Sequence, residues 1–148
     1  MSSLSVSATS HSSAPARLVY SVLLDAESWP LWTSFYEVQW ELPAGVERPA
    51  RAGDVRVMRS RLGGVCCRER IVELLPDRRF SYERASGLLA SHRRSVNLTE
   101  APHGGTDITW SATYRHALPL LGRARRRRLQ GWADALASYA DSIVSRDS

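Results

Sequence analysis

The closing stretch of the chain, Arg123–Ser145, places an apolar residue at every third or fourth step, whereas most of what precedes it alternates. Leu129, Trp132, Ala133, Leu136, Ala140, Ile143 and Val144 therefore share one face of a long amphipathic helix. At 1.5 Å per residue that helix is about 35 Å long, enough to cross a whole curved sheet. Its apolar face is uneven, with Trp132 beside Ala133, Ala137 and Ala140, so large rings adjoin small methyls. One helix with such a face, laid over a wide sheet, is expected to leave a cavity, and a cavity implies a small-molecule site.

The rest of the chain supplies the sheet. Leu4, Val6 and Ala8 alternate with serines as a first strand, and Ser13-Ala14-Pro15 then reads as a helix start, with the serine as cap and the proline near the first helical position. Leu18, Val19, Val22 and Leu23 form the stripe of a short helix ending near Asp25, and Trp29-Pro30-Leu31-Trp32 gives a second short helical turn. Phe35–Leu42 alternates again. Asp54–Leu62, Val65–Leu75, Arg78–Arg84, Ser91–Glu100 and Gly105–His116 are five further strands. Gly63-Gly64, Pro76-Asp77, Ser86-Gly87 and Pro102-His103-Gly104-Gly105 separate them as short hairpin connections, so neighbours are antiparallel. The expected fold is α+β: a curved antiparallel sheet of about seven strands wrapped around a long C-terminal helix, with two short helices after the first strand, in a helix-grip arrangement. The first strand is expected to pair late in the sheet. With no internal repeat, residues 1–148 read as one domain.

At 148 residues, 43% hydrophobic and 24% charged, the chain is long enough for a core without staples. All 20 of its basic side chains are arginines. Codon bias in a GC-rich genome would suffice to explain that, and with it a net charge of +5 and a pI near 9.9, without nucleic acid; attraction to acidic partners is compatible with the charge but not demanded by it. Cys66 and Cys67 are adjacent in a strand and point to opposite faces; they form neither a Cys-x-x-Cys site nor an unstrained disulfide, so reduced thiols are expected. Met1–Ser13 has no basic n-region or apolar core of a signal peptide, and no run reaches the length of a membrane span. A soluble, cytoplasmic protein is the expectation.

The order of elements and several local signatures resemble the START-like (SRPBCC) superfamily, specifically its polyketide cyclase/dehydrase family. The matching pieces are Ala14 to Tyr20 on the first helix, Asp25-Ala26-Glu27-Ser28-Trp29-Pro30-Leu31-Trp32 after it, Glu69 to Pro76 running into Phe80-Ser81-Tyr82, and Gly104-Gly105-Thr106-Asp107-Ile108-Thr109-Trp110. The resemblance implies a deep cavity between sheet and C-terminal helix that holds lipids, sterols, polyketides or hormone-like molecules. It does not imply catalysis, because the superfamily mixes enzymes with carriers. A polyketide cyclase, aromatase or dehydratase and a non-catalytic lipid or metabolite carrier both remain open.

Candidate site residues follow from strand alternation. Ile108, Trp110, Ala112 and Tyr114 share the face toward the helix, and so do Val96 and Leu98. Strict alternation carries His92 and Arg94 to that same face, where a guanidinium is costly unless paired or wet. Either the sheet flares so that both reach solvent, or they form a polar floor in which Arg94 anchors a carboxylate, enolate or phenolate and His92 moves protons near neutral pH. Tyr82 and Arg84 join them if their strand faces inward; a one-residue bulge would reverse that. Trp40 is expected in a cavity wall, with Trp132 and Leu136 contributed by the helix, while Trp29 and Trp32 read as packing staples near the mouth. Closing a poly-β-ketone ring needs a shaped pocket, a donor for an enolate and a proton carrier, and Arg94, His92 and Tyr82 are suitable types.

Arg123, Arg125, Arg126 and Arg127, continued by Arg128, open the last helix, where cations oppose the helix dipole. The run reads as a solvated face, as a docking patch for an acidic acyl carrier protein, or as an RNA- or ribosome-contacting segment; no aromatic residue interleaves it, which weighs against nucleic acid. Nucleophile-elbow, phosphate-loop, dinucleotide and zinc-protease motifs are missing, the four histidines lack ligand spacing, and the only two cysteines are adjacent, without iron–sulfur ligand spacing. No cofactor and no metal are expected. Monomer and homodimer are both compatible with the sequence.

Overall fold

A computed structural model describes residues 3–62, 64–85, 92–115 and 121–147. The chain runs β1 (Ser3–Ser12), α1 (Ala16–Leu24), a 3-10 turn (Ala26–Ser28), α2 (Trp29–Trp32), β2 (Glu37–Glu41), β3 (Val55–Arg59), β4 (Val65–Leu75), β5 (Arg79–Arg84), β6 (Arg93–Glu100), β7 (Thr106–Arg115) and α3 (Gly122–Asp147). The seven strands form one antiparallel sheet in the order β1-β7-β6-β5-β4-β3-β2. The first strand thus pairs with the last, and α3 lies in the concave face, the helix grip expected from the sequence. The expected turn at Ser86-Gly87 and the facing of Cys66 fall outside what is described.

The small residues of α3 do more than leave space. Ala133, Ala137 and Ala140 are buried and bring the helix close to β1 and β7. That end is also clamped by Asp141 on α3, whose Oδ1 accepts from Ser12 Oγ at 2.8 Å, Ser13 N at 2.7 Å and Ser13 Oγ at 2.9 Å. Ser13 is therefore not the cap of α1: Pro15 occupies that position, with no side-chain cap, because both serines serve the distant carboxylate. With the helix held over β1 and β7, the concave space over β3 to β5 is covered by α1 and α2 and filled by rings. Trp29 and Trp32 stand 4.6 Å apart between centroids, and Trp110 meets Trp29 at 6.1 Å, Trp32 at 6.3 Å and Trp132 at 5.5 Å.

Turn chemistry closes the hairpins. Asp77 takes φ 63° between β4 and β5, after a proline that presets the turn. Gly105, at φ 77° before β7, lies so close to the Ser12 carbonyl that a side chain there would collide with it. Among the described residues no helix is long and apolar enough to cross a membrane.

Candidate functional site

Strand register builds a charged row across the concave face. Arg56 on β3 lies opposite Glu69 on β4, Glu69 lies opposite Arg84 on β5, and Tyr82 on β5 lies opposite Arg94 on β6. Register shifts at Met58/Arg59 and between Ile71 and Glu73 bring these residues together. The second shift leaves Phe80 and Tyr82 inward and buried, with Arg84 half-buried beyond them.

Arg56 is 0% exposed. Its Nε and Nη2 donate to Glu69 Oε1 at 3.2 and 3.0 Å, while Arg94 Nη1 donates to Glu69 Oε2 at 3.4 Å. One buried carboxylate thus holds two guanidiniums. Aromatic faces carry much of the remaining desolvation: the Arg56 guanidinium carbon lies 3.9 Å from the Trp29 ring centroid, 4.8 Å from Tyr82 and 5.0 Å from Phe80. Even so, Arg56 Nη1 and Arg94 Nε are buried without a hydrogen-bond partner among the described residues. Burial opposes the Arg94 charge, but Tyr82, Glu69 and Tyr114 outweigh it and hold its pKa above the ordinary arginine value.

A cavity of about 110 Å³ opens beside this network, lined by Trp29, Phe35, Met58, Cys67, Trp132 and the polar set Glu69, Tyr82, Arg84, Arg94 and Arg128. An apolar cavity of ~150 Å³ takes up benzene, so the space is on the scale of one aromatic ring. Two of the four indoles on the concave face, Trp29 and Trp132, line it. The Cys67 thiol contacts Met58 Sδ at 3.6 Å along its wall.

Of the residues singled out from sequence, Tyr82, Arg84, Arg94 and Trp132 meet at this cavity. Val96, Trp110 and Leu136 are each 0% exposed and belong to the core beneath it; Trp110 Nε1 donates to Tyr82 Oη at 3.2 Å. Trp40 sits apart, its Nε1 donating to the Leu24 carbonyl at 3.2 Å beside a separate surface groove. His92, Tyr114 and Arg125 form a neighbouring cluster: the imidazole meets the Tyr114 ring edge-on at 4.5 Å, and Arg125 covers that ring at 3.9 Å. Arg125 is thus turned inward, whereas Arg123, Arg126 and Arg127 are exposed. Arg56, Glu69, Phe35, Met58 and Cys67 were not foreseen, and Trp29 lines the pocket as well as packing its neighbours.

The two candidate proton carriers are pushed in opposite directions. Burial, then Arg94, Arg125 and Arg84, draw the His92 pKa down from 6.5 to about 4. Burial and the Glu69 charge drive the Tyr82 phenol well above the ordinary tyrosine value. Both side chains are neutral at pH 7.

The family described as polyketide cyclase / dehydrase and lipid transport matches residues 3–141. No curated protein matches the chain in sequence. Among solved structures, a protein from Mesorhizobium loti is similar at TM-score 0.68 and 15% identity, covering 98% of this chain and 99% of that one. Ara h 8.0201 is similar at TM-score 0.70 and 19% identity, covering 95% and 99%. A protein from Chromobacterium violaceum follows at TM-score 0.62 and 19% identity, covering 93% and 96%. At such identities the likeness is one of fold.

Proposed function

The chain belongs to the polyketide cyclase / dehydrase and lipid transport family, and on that footing we propose that it binds a small hydrophobic, ring-bearing molecule in the cavity between α3 and the sheet. The supporting observation is the cavity itself, in which Trp29, Phe35, Met58 and Trp132 form an apolar wall facing a polar end at Arg94 and Tyr82. Binding is favoured over turnover by protonation: His92 at about 4 is a weak base, and the Tyr82 phenol is a reluctant acid. Arg94 then acts as an anchor for the ligand's polar end rather than as one member of an acid–base pair.

Native mass spectrometry of the protein as purified from its producing host tests this. The wild type is expected to carry a small apolar molecule, and Cys67→Leu, which adds carbon into the cavity, is expected to carry less of it. An unloaded wild type, or a load indifferent to that substitution, would refute the reading.

A further inference from the structure

The charge around the cavity does not balance. Arg84, Arg94 and Arg128 line it, and Arg56 lies directly behind, yet Glu69 is the one carboxylate in the set. Glu69 already spends one oxygen on Arg56 and the other on Arg94. The ion pairs of the described residues give Arg84 and Arg128 no acidic partner. His92 does not offset the excess, because its cluster keeps it neutral and because the groups facing it, Arg84 on β5, Arg94 on β6 and Arg125 on α3, are all cations. Tyr82 contributes a phenol, Tyr114 flanks Arg94 from the neighbouring cluster, and Arg128 reaches the rim from the exposed side. The site is therefore a cationic hollow floored by a buried guanidinium pair and walled by aromatic rings.

Keeping uncompensated guanidiniums half out of water is unfavourable unless something of opposite charge arrives. Ordinary surface arginines would turn to solvent. Arg94 is held: its side chain is only 14% exposed, wedged between Glu69 and the faces of Tyr114, at 6.0 Å, and Trp132, at 5.3 Å. Arg128 also lies over the Trp132 ring, 5.5 Å from its centroid. Such planar donors at the end of an apolar slot match a carboxylate attached to a ring.

Resting on the ligand-pocket reading above, we propose that the ligand is a small aromatic carboxylate monoanion. Its ring lies among Trp29, Phe35, Met58 and Trp132, and its carboxylate faces Arg94 with Arg84 and Arg128 beside it. Glu69 is a positioning residue: it fixes Arg56 and Arg94 and leaves room for one further negative charge. The cavity volume confines the ligand to roughly a single ring, well short of a multi-ring polyketide.

The test is tryptophan-fluorescence and calorimetric titration of the full chain with benzoate, benzamide and benzamidinium, which share a ring and differ in charge. Benzoate is expected to bind at least about tenfold more tightly than benzamide, with benzamidinium not binding. Arg94→Gln is expected to abolish that preference. Arg128→Gln, at the exposed rim where folding is not at stake, is expected to reduce it about threefold. Equal affinity for benzoate and benzamide would overturn the anion assignment and leave the apolar pocket standing. A benzoate preference untouched by both substitutions would overturn it by placing the anion elsewhere. Binding of none of the three probes would overturn the ligand-pocket reading as well.

Discussion

Acid should weaken this protein as pH falls below about 6.5, and His92 is the cause. The residue is 7% exposed at the start of β6, edge-on to Tyr114 and facing Arg94, Arg84 and Arg125. Burial and those cations lower its pKa from 6.5 to about 4. Between these values the unfolded chain holds a proton that the folded chain refuses, so stability rises with pH across that window. The contribution is complete above the unfolded value and is lost as pH falls toward the folded one. Linkage puts the loss at about 2 kcal/mol between about pH 7.5 and pH 5, and about 3 kcal/mol by pH 4. Urea denaturation of wild type and His92→Asn across that range gives the comparison. Asp54 and Asp141 do not confound it, since Arg48 holds Asp54, and the Ser12 and Ser13 donors outweigh burial to hold Asp141, below the ordinary carboxylate value of 3.8. Their contributions disappear only as pH falls below that value. Wild type should lose about 2 kcal/mol more than the variant by about pH 5; parallel pH profiles would refute the assignment of a neutral, cation-surrounded imidazole.

Three further outcomes are expected. Trp29→Ala removes a 2% exposed ring whose Nε1 donates to the Leu23 carbonyl at 3.0 Å and whose face covers Arg56; a loss of about 3–5 kcal/mol in urea denaturation is expected, with Trp29→Phe milder. Glu69→Gln strips Arg56 and Arg94 of their shared anion and should cost about 3–5 kcal/mol, measured the same way, whereas Arg56→Met with Glu69→Leu, which relieves Arg56 but leaves Arg94 without its anion, should recover only part of it. Gly105→Ala forces a side chain against the Ser12 carbonyl at positive φ; thermal unfolding should show a loss of at least about 1 kcal/mol, while Gly45→Ala, with open space around it, should show the smaller loss due to φ alone.

Much of the fold was legible because periodicity and turns are local. The stripe Leu129, Ala133, Leu136 and Ala140 on α3, and Ile108, Trp110, Ala112 and Tyr114 on β7, are buried as alternation demands. Arg94 was legible as an inward cation for the same reason. Its partner was not. In β3 the strand Val55-Arg56-Val57-Met58 invites the valines inside, yet Arg56 and Met58 are buried and the valines half-exposed. Only Trp29, Phe80, Tyr82 and Glu69, all distant in sequence, make that exchange favourable. Continuing the Arg59–Val65 register would place Arg56 opposite Arg68; the irregularity at Met58/Arg59 places it opposite Glu69. Trp40 stands apart: it alternates with the inward face but lies on the outermost paired strand, outside the lining of this cavity.

The pairing of β1 with β7 has a consequence in time. Strands β2 to β6 each adjoin their sequence neighbour and can close hairpin by hairpin, but Ser3 meets Arg115 and Ser12 meets Thr106. That loop spans most of the chain, and the entropy of closing it is recovered only once β7 and α3 are present. Until β7 and α3 dock, the charged row lacks the Trp132 wall and stays open to water on that side. The unfavourable desolvation of the charged row is therefore deferred to the final docking of the two ends of the chain. Folding kinetics should place the slow step at that event, with substitutions at Asp141 and Ser12 mainly accelerating unfolding if their clamp forms after the barrier.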